Sequence, residues 1–337
     1  MDRLFDPNPL SLLPITSLTL TSISLSEFTP YIRHFSQSAL TTLNLKDCTE
    51  LDEFAADLVS MGSQGILLQL ESLSYIRPVD LTGRSMGEDA LALAVLLTCC
   101  GPSSLQHVTF DSLLEKRHWP DLFGAITAQG VNLRFLEIGA GPVWIPSNED
   151  VAIEAIAAVA RKLRGLEEVV LPLHFELSDV SPEHGDLGDV GHVILDFLTL
   201  PDMKALRFCA PLGANYAVTE RKTWKHEDEY RTRAERAMSD LASQLTRAAA
   251  IQRGNDINVP LIGFGEAFGA QASTVEDDDT ARWPEPLYFQ YLGGQMNENG
   301  GWTRRWYPEE EENGKEFTIF VPDCARFHEE EFWADAD

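Results

Sequence analysis

Basic side chains are scarce in this chain. Lys and Arg together number 26 against 53 Asp and Glu, a formal net charge of -27 over 337 residues. Such an excess repels polyphosphate and anionic lipid headgroups, so neither nucleic acid nor a membrane surface is an expected partner. Long apolar runs are also missing, and none reaches the roughly 18 residues that a membrane-spanning helix needs. The start of the chain holds Asp2, Asp6, Pro7 and Pro9 where a secretory signal has a basic start and an apolar core, so export is not expected. Cysteine is sparse and irregular: Cys48, Cys99, Cys100, Cys209 and Cys324 make an odd set with no C-x-x-C pair. That fits neither a disulfide framework nor a zinc site, and implies reduced thiols in the cytoplasm or nucleus. What is present is a hydrophobic content of 44%, ample for a sizeable core.

A short leucine pattern, L-x-x-L-x-L or a close variant, recurs along the first two thirds of the chain. Its instances begin at Ile15, Leu40, Leu70, Leu105, Leu133, Leu166 and Met203, with fourth positions at Leu18, Leu43, Leu73, Val108, Leu136, Val169 and Leu206. The spacing between fourth positions runs from 25 to 37 residues, so loop insertions are expected. Between the instances, apolar residues fall at three- and four-residue steps, as in Phe54, Leu58 and Met61, or Ile156, Val159 and Leu163. Those segments read as helices, including stretches near 89–98, 121–128 and 190–198.

Alternating strands and helices could form a doubly wound sheet or a barrel, but both bury each strand on two faces. Here the fourth and sixth positions are apolar while the flanking ones are polar or small: Ser17 and Thr19, Thr42 and Asn44, Ser72 and Ser74, His107 and Thr109. Burial on one face only implies an open solenoid, a curved parallel sheet with outer helices. Phe135 and Val170 break the pattern at positions the solenoid exposes, and they keep a more closed α/β fold open as the alternative.

The second unit, Leu40-Thr-Thr-Leu43-Asn-Leu45-Lys-Asp-Cys48-Thr-Glu-Leu51, resembles the cysteine-containing leucine-rich repeat of F-box/leucine-rich-repeat proteins. The looser run through Phe208 is similar to the degenerate repeat region of fungal members of that group. The resemblance implies a leucine-rich-repeat solenoid over about residues 1–265, with Cys48 buried in the turn after its strand. About a dozen residues precede Ile15, too few for the F-box that docks such proteins on a ubiquitin-ligase adaptor. Either a repeat-only binder or a sequence that lacks its F-box segment is therefore expected, with that adaptor a partner only of a chain carrying an F-box.

A long helix is expected over about 220–253, ending at Gly254, and an atypical eighth strand over 257–264. Gly263-Phe-Gly265-Glu-Ala-Phe-Gly269 approximates a dinucleotide loop, but Glu266 stands where an anion would bind and no βαβ unit follows. Residues 266–337 are acidic and aromatic-rich. Leu287, Phe289 and Tyr291, and Phe317, Ile319 and Val321, alternate as strands do, which implies a small C-terminal β cap with an acidic tail beyond it. Trp302-Thr-Arg304-Arg305-Trp306 interleaves cations and aromatics, and reads as cap packing rather than base stacking.

For chemistry, no nucleophile elbow, phosphate loop or zinc helix is expected. His174, His184 and His192, with Glu176, Asp179, Glu183, Asp186 and Asp189, form the strongest metal-type cluster, and an α/β hydrolase or metal-dependent enzyme built on that loop is the alternative function. The primary expectation is a non-enzymatic scaffold, without cofactor, that holds a protein partner of basic character on its concave face. The contacts expected there are Asn44, His107, Thr109, Phe135, Glu137, Glu168 and Arg207, with Phe135 as anchor.

Overall fold

A computed structural model describes residues 15–28, 31, 40–62, 68–76, 88–101, 104–112, 118–130, 132–140, 150–171, 188–208, 227–254, 259–264, 287–291 and 303–306. Eight parallel strands alternate with helices in chain order. They are β1 (Ser17–Thr21), β2 (Thr42–Lys46), α1 (Leu51–Gly62), β3 (Ser72–Ile76), α2 (Glu88–Thr98), β4 (His107–Ser112), α3 (Trp119–Ala128), β5 (Phe135–Ala140), α4 (Asp150–Lys162), β6 (Glu168–Leu171), α5 (Gly188–Leu198), β7 (Ala205–Phe208), α6 (Glu227–Gln252) and β8 (Leu261–Phe264). Residues 25–28 between β1 and β2 are also helical. Two further strands, β9 (Leu287–Tyr291) and β10 (Thr303–Trp306), extend the sheet beyond β8 in antiparallel fashion.

Strand order in the sheet equals strand order in the chain, from β1 to β10. A doubly wound sheet reverses direction at a switch point and a barrel joins its first strand to its last, and the described pairings do neither. Each helix from α1 to α6 packs on the next. The units are thus stacked in sequence, the arrangement expected of a solenoid.

The in-line register explains why leucine recurs. One back-facing column runs Leu18, Leu43, Leu73, Val108, Leu136, Val169, Leu206, Ile262. Its neighbour runs Leu20, Leu45, Tyr75, Phe110, Ile138, Leu171, Phe208, Phe264, with Ile138 and Leu171 placed by the alternation of their strands. From β2 onward the described members are buried and share one core with the inner faces of the helices. Tyr75 is the polar exception, and its hydroxyl donates to Asp89 Oδ2 of α2 at 3.1 Å. Gln129, after α3, donates to the Leu97 carbonyl at 2.7 Å and satisfies a terminal acceptor of the preceding helix.

Cys48 is fully buried, with Sγ 3.4 Å from the carbonyls of Leu20 and Lys46, and burial pushes its thiol pKa up. Cys99 and Cys100 are buried as well, and burial lifts Cys100 to about 12. All three behave as core side chains. The long helix runs Glu227–Gln252 and is followed by Gly254, whose φ of +75° is the left-handed stop that favours glycine. Leu287–Tyr291 forms the expected strand; Phe317, Ile319 and Val321 lie outside the described residues.

Because the central column is dry and the first strand is half-open, position within the column sets the cost of truncation. Leu136→Ala should lower unfolding free energy by about 3 kcal/mol, and Leu18→Ala by about 1 kcal/mol. Urea denaturation of both variants checks this; equal losses would contradict the column.

Candidate functional site

Side chains on the other face of the sheet form two rows. In the first, Ser17, Thr42, Ser72, His107, Phe135, Glu168, Ala205 and Leu261 stand in register. In the second, the order is Thr19, Asn44, Ser74, Thr109, Glu137, Val170, Arg207, Gly263. All seven residues expected to contact a partner fall in these rows.

The rows divide into an open half and a covered half. Over β1 to β4 the side chains are small and polar and are exposed or half-buried, His107 being exposed. Asn44 Nδ2 donates to Thr19 Oγ1 at 3.3 Å, so neighbouring strands satisfy each other laterally. Phe135 on β5 is half-buried, its ring 6.2 Å from that of His107. Beyond it the front is closed to solvent: every residue of β6, β7 and β8 is buried.

This corrects three of the seven contacts. Glu137, Glu168 and Arg207 are only 3%, 2% and 2% exposed and cannot be open solvent-facing contacts. Val170, expected at an exposed position, is likewise buried. The physical reason lies in pairing across the sheet. Arg207 Nη2 donates to Glu137 Oε1 at 2.9 Å, passing over Val170, which stands between them in the register. Burial drives the Glu137 pKa up, and the Arg207 guanidinium works against that rise. Pairing lets two charges occupy a dry face where either alone would be strongly unfavourable.

Glu168 differs. Its Oε2 has no hydrogen-bond partner among the described residues. Burial lifts its pKa to about 8; nearby Lys204 opposes the rise and Glu167 adds to it. At neutral pH this carboxyl mostly holds its proton.

A charged ladder borders the rows where the chain enters the strands. Glu167 is clamped between Arg134 at 2.6 Å and Lys204 at 2.9 Å. Burial would raise its pKa, yet the two cations outweigh it and hold it low. The His107 ring is partly desolvated by its neighbours, which shifts its pKa down, with Glu167 and Glu71 pulling up and Arg134 pushing down.

Of the metal-type cluster, His192 is exposed on α5 and Asp189 lies on the same helix, while His174, His184, Glu176, Asp179, Glu183 and Asp186 lie outside the described residues. No group of three or more metal-type side chains occurs among the described residues. One motif passed over in the sequence is Gly83-Arg-Ser85-Met-Gly87, which has the form G-x-S-x-G. A nucleophile elbow places its serine on the sharp turn directly after a strand. The motif lies outside the described residues. No described helix is long and apolar enough to cross a membrane.

No protein-family model matches the chain, and neither the curated proteins nor the solved structures gave a match.

Two outcomes follow from these charges. Removing either partner of the buried pair, by Glu137→Gln or Arg207→Ala, should cost about 3 kcal/mol, whereas the double change Glu137→Leu with Arg207→Met should cost much less than the sum. A double-mutant cycle in urea reads the coupling, and additive losses would show that the pair does not act as a unit. For Glu168, the folded chain keeps a proton that the unfolded chain releases above the ordinary carboxylate range. Folding stability is therefore lost as pH rises from that range towards 8. Glu168→Gln should gain on the parent by up to about 1.4 kcal/mol per pH unit through that window and match it in acid. A pH-independent difference in denaturation midpoints would contradict this.

Proposed function

We propose that this chain is a leucine-rich-repeat scaffold that holds a protein partner on the open front of its sheet and performs no catalysis. The observation that carries the reading is the in-register, half-exposed array over β1 to β4, from Ser17 and Thr19 to His107 and Thr109, ending at the Phe135 ring. Strands about 4.8 Å apart present these side chains as a broad, shallow surface, which suits a protein segment better than a small molecule. Small hydroxyl and amide groups supply hydrogen bonds with little entropy to lose, and Phe135 and His107 supply aromatic area at the rim of the covered half.

The buried Cys48 in the turn after β2 and the sequential strand–helix stacking both support the leucine-rich-repeat assignment. In this reading β9 and β10 cap the end of the repeats, where an uncovered parallel edge would invite aggregation. Reduced thiols favour the cytoplasm or nucleus as the working compartment. A net charge of -27 favours a basic partner whose binding weakens with salt. An F-box-type substrate-recognition role would use the same face, with the ligase adaptor bound elsewhere.

Affinity purification of the full chain from native extract, at low and high salt, tests this when paired with front-face and helix-face variants. A partner recovered by the parent should be lost with Asn44→Arg or Thr109→Arg. It should be kept with Val59→Arg, which alters an exposed side chain on α1. Loss with the helix-face variant and retention with both front-face variants would place binding elsewhere and overturn the proposal.

A further inference from the structure

The two ends of the sheet are finished differently. Beyond β8 it continues into the antiparallel strands β9 and β10. At the other end β1 pairs with β2 alone among the described residues, so its outer side is an open edge. Burial follows the same division. Leu43 and Leu45 on β2 are 0% and 1% exposed, while Leu18 and Leu20, the first members of the same columns, are half-buried. Ile15 and Ile23, on either side of β1, are half-buried as well.

Edge strands are ordinarily guarded by lysine, proline, a bulge or an inward-pointing charge. The strand Ser17-Leu18-Thr19-Leu20-Thr21 carries no charge and no proline, and its register with β2 runs without a bulge. No Asp, Glu, Lys or Arg stands between Asp6 and Glu27. In a chain of net charge -27, such an edge offers copies of the protein an approach free of local charge.

We propose that β1 is a homodimer interface: a second copy of the chain adds its own β1 antiparallel to the first, about a two-fold axis that passes by Thr19 normal to the sheet. This concerns the end of the solenoid and does not rest on the front holding a partner.

The strand is nearly a palindrome about Thr19. An antiparallel pair centred there sets Ser17 opposite Thr21, Leu18 opposite Leu20 and Thr19 opposite its own copy, which is the self-complementary contact a two-fold axis requires. The peptide groups agree with that centre. The Thr16 carbonyl accepts from the Thr41 and Thr42 N–H groups, and the Ser22 N–H donates to the Lys46 carbonyl, so the even-numbered residues turn their peptide groups to β2. By alternation Ser17, Thr19 and Thr21 turn theirs to the open side, and these are the residues that the centred pairing makes hydrogen-bonded pairs. Leu18 and Leu20 then fall in the non-hydrogen-bonded pairs, where side chains across an antiparallel ladder come closest. Each copy covers the other's half-buried leucines, and the back columns run on across the axis. Both open fronts face the same way, so the hydroxyl array of β1 to β4 is doubled into one surface.

The nearest acids of the next unit are already engaged. Asp47 accepts from Ser22 Oγ at 3.1 Å, and Glu50 accepts from the hydroxyls of Ser24 and Ser26. What opposes pairing is the net charge of -27 on each copy, which salt screens. Self-association should therefore strengthen with salt, the reverse of the dependence expected for a basic partner on the front.

Sedimentation velocity of the full chain, across about a hundredfold range of concentration at low and high salt, reads the dimer directly. The mass should rise to twice that of one copy at the upper end, and sooner at high salt. Thr19→Pro removes the N–H beside the axis at a position that faces away from β2, where an edge strand tolerates proline. Thr19→Lys sets like charges opposite each other. Each should weaken dimerisation about tenfold or more, with urea denaturation at low concentration confirming that the variant folds. Leu91→Lys, which adds the same charge at an exposed site on α2, should leave dimerisation unchanged. Hydrogen exchange should show the peptide over residues 15–21 gaining protection as concentration rises. A mass of one copy under every condition would overturn the proposal and assign the cover of Leu18 and Leu20 to another protein or to residues ahead of Ile15. A dimer that survives both changes at Thr19 would overturn it equally, by placing self-association on another surface.

Discussion

The fold depends on one constraint: each strand buries only two back-facing side chains, and it can do so only with its neighbours in register. A single strand–helix unit cannot cover its own leucines, so Leu43 needs Leu18 and Leu73 beside it, as Leu136 needs Val108 and Val169. Register is strict because a one-residue slip would turn every leucine to the front. The helices then pack in chain order behind the sheet, and the connections are free to vary in length, as the 25- to 37-residue spacing shows.

With the back face committed to cohesion, the front face is free to differ from strand to strand, and it does. Its first half keeps small polar side chains in contact with water. Its second half is buried and accepts charge only where the charge is matched or protonated: Glu137 with Arg207, and Glu168 through a pKa lifted to about 8. The change from polar ladder to buried charge takes place within β5, where Phe135 is half-buried and Glu137 is not exposed. Polar groups retained in such a place specify geometry as much as they add stability, since the Arg207–Glu137 bond ties β5 to β7 in one register.

The periodic part of this structure was legible in the sequence. Seven leucine patterns became seven strands, the intervening periodicities became helices within a few residues of their expected ends, and Gly254 stops the longest of them. Even the two front rows could be read, because strand alternation places every second residue on one face. Burial of that face could not. A polar side chain beside apolar neighbours reads locally as solvent-facing, and Glu137 finds its partner 70 residues away, beyond any local window. Phe135 and Val170 were the residues that carried a hint: an aromatic and a β-branched side chain at front positions announce that the face is no longer open there.

The central claim is that the sheet front is open through β4 and closed from β6 onward. Thiol labelling tests it most directly, with His107→Cys and Ala205→Cys made separately at two positions of one row and modification resolved by peptide mass spectrometry. The account predicts that the thiol at 107 reacts nearly as fast as one in an unfolded chain, while the thiol at 205 reacts only as fast as the protein unfolds. Similar rates at the two positions would contradict it.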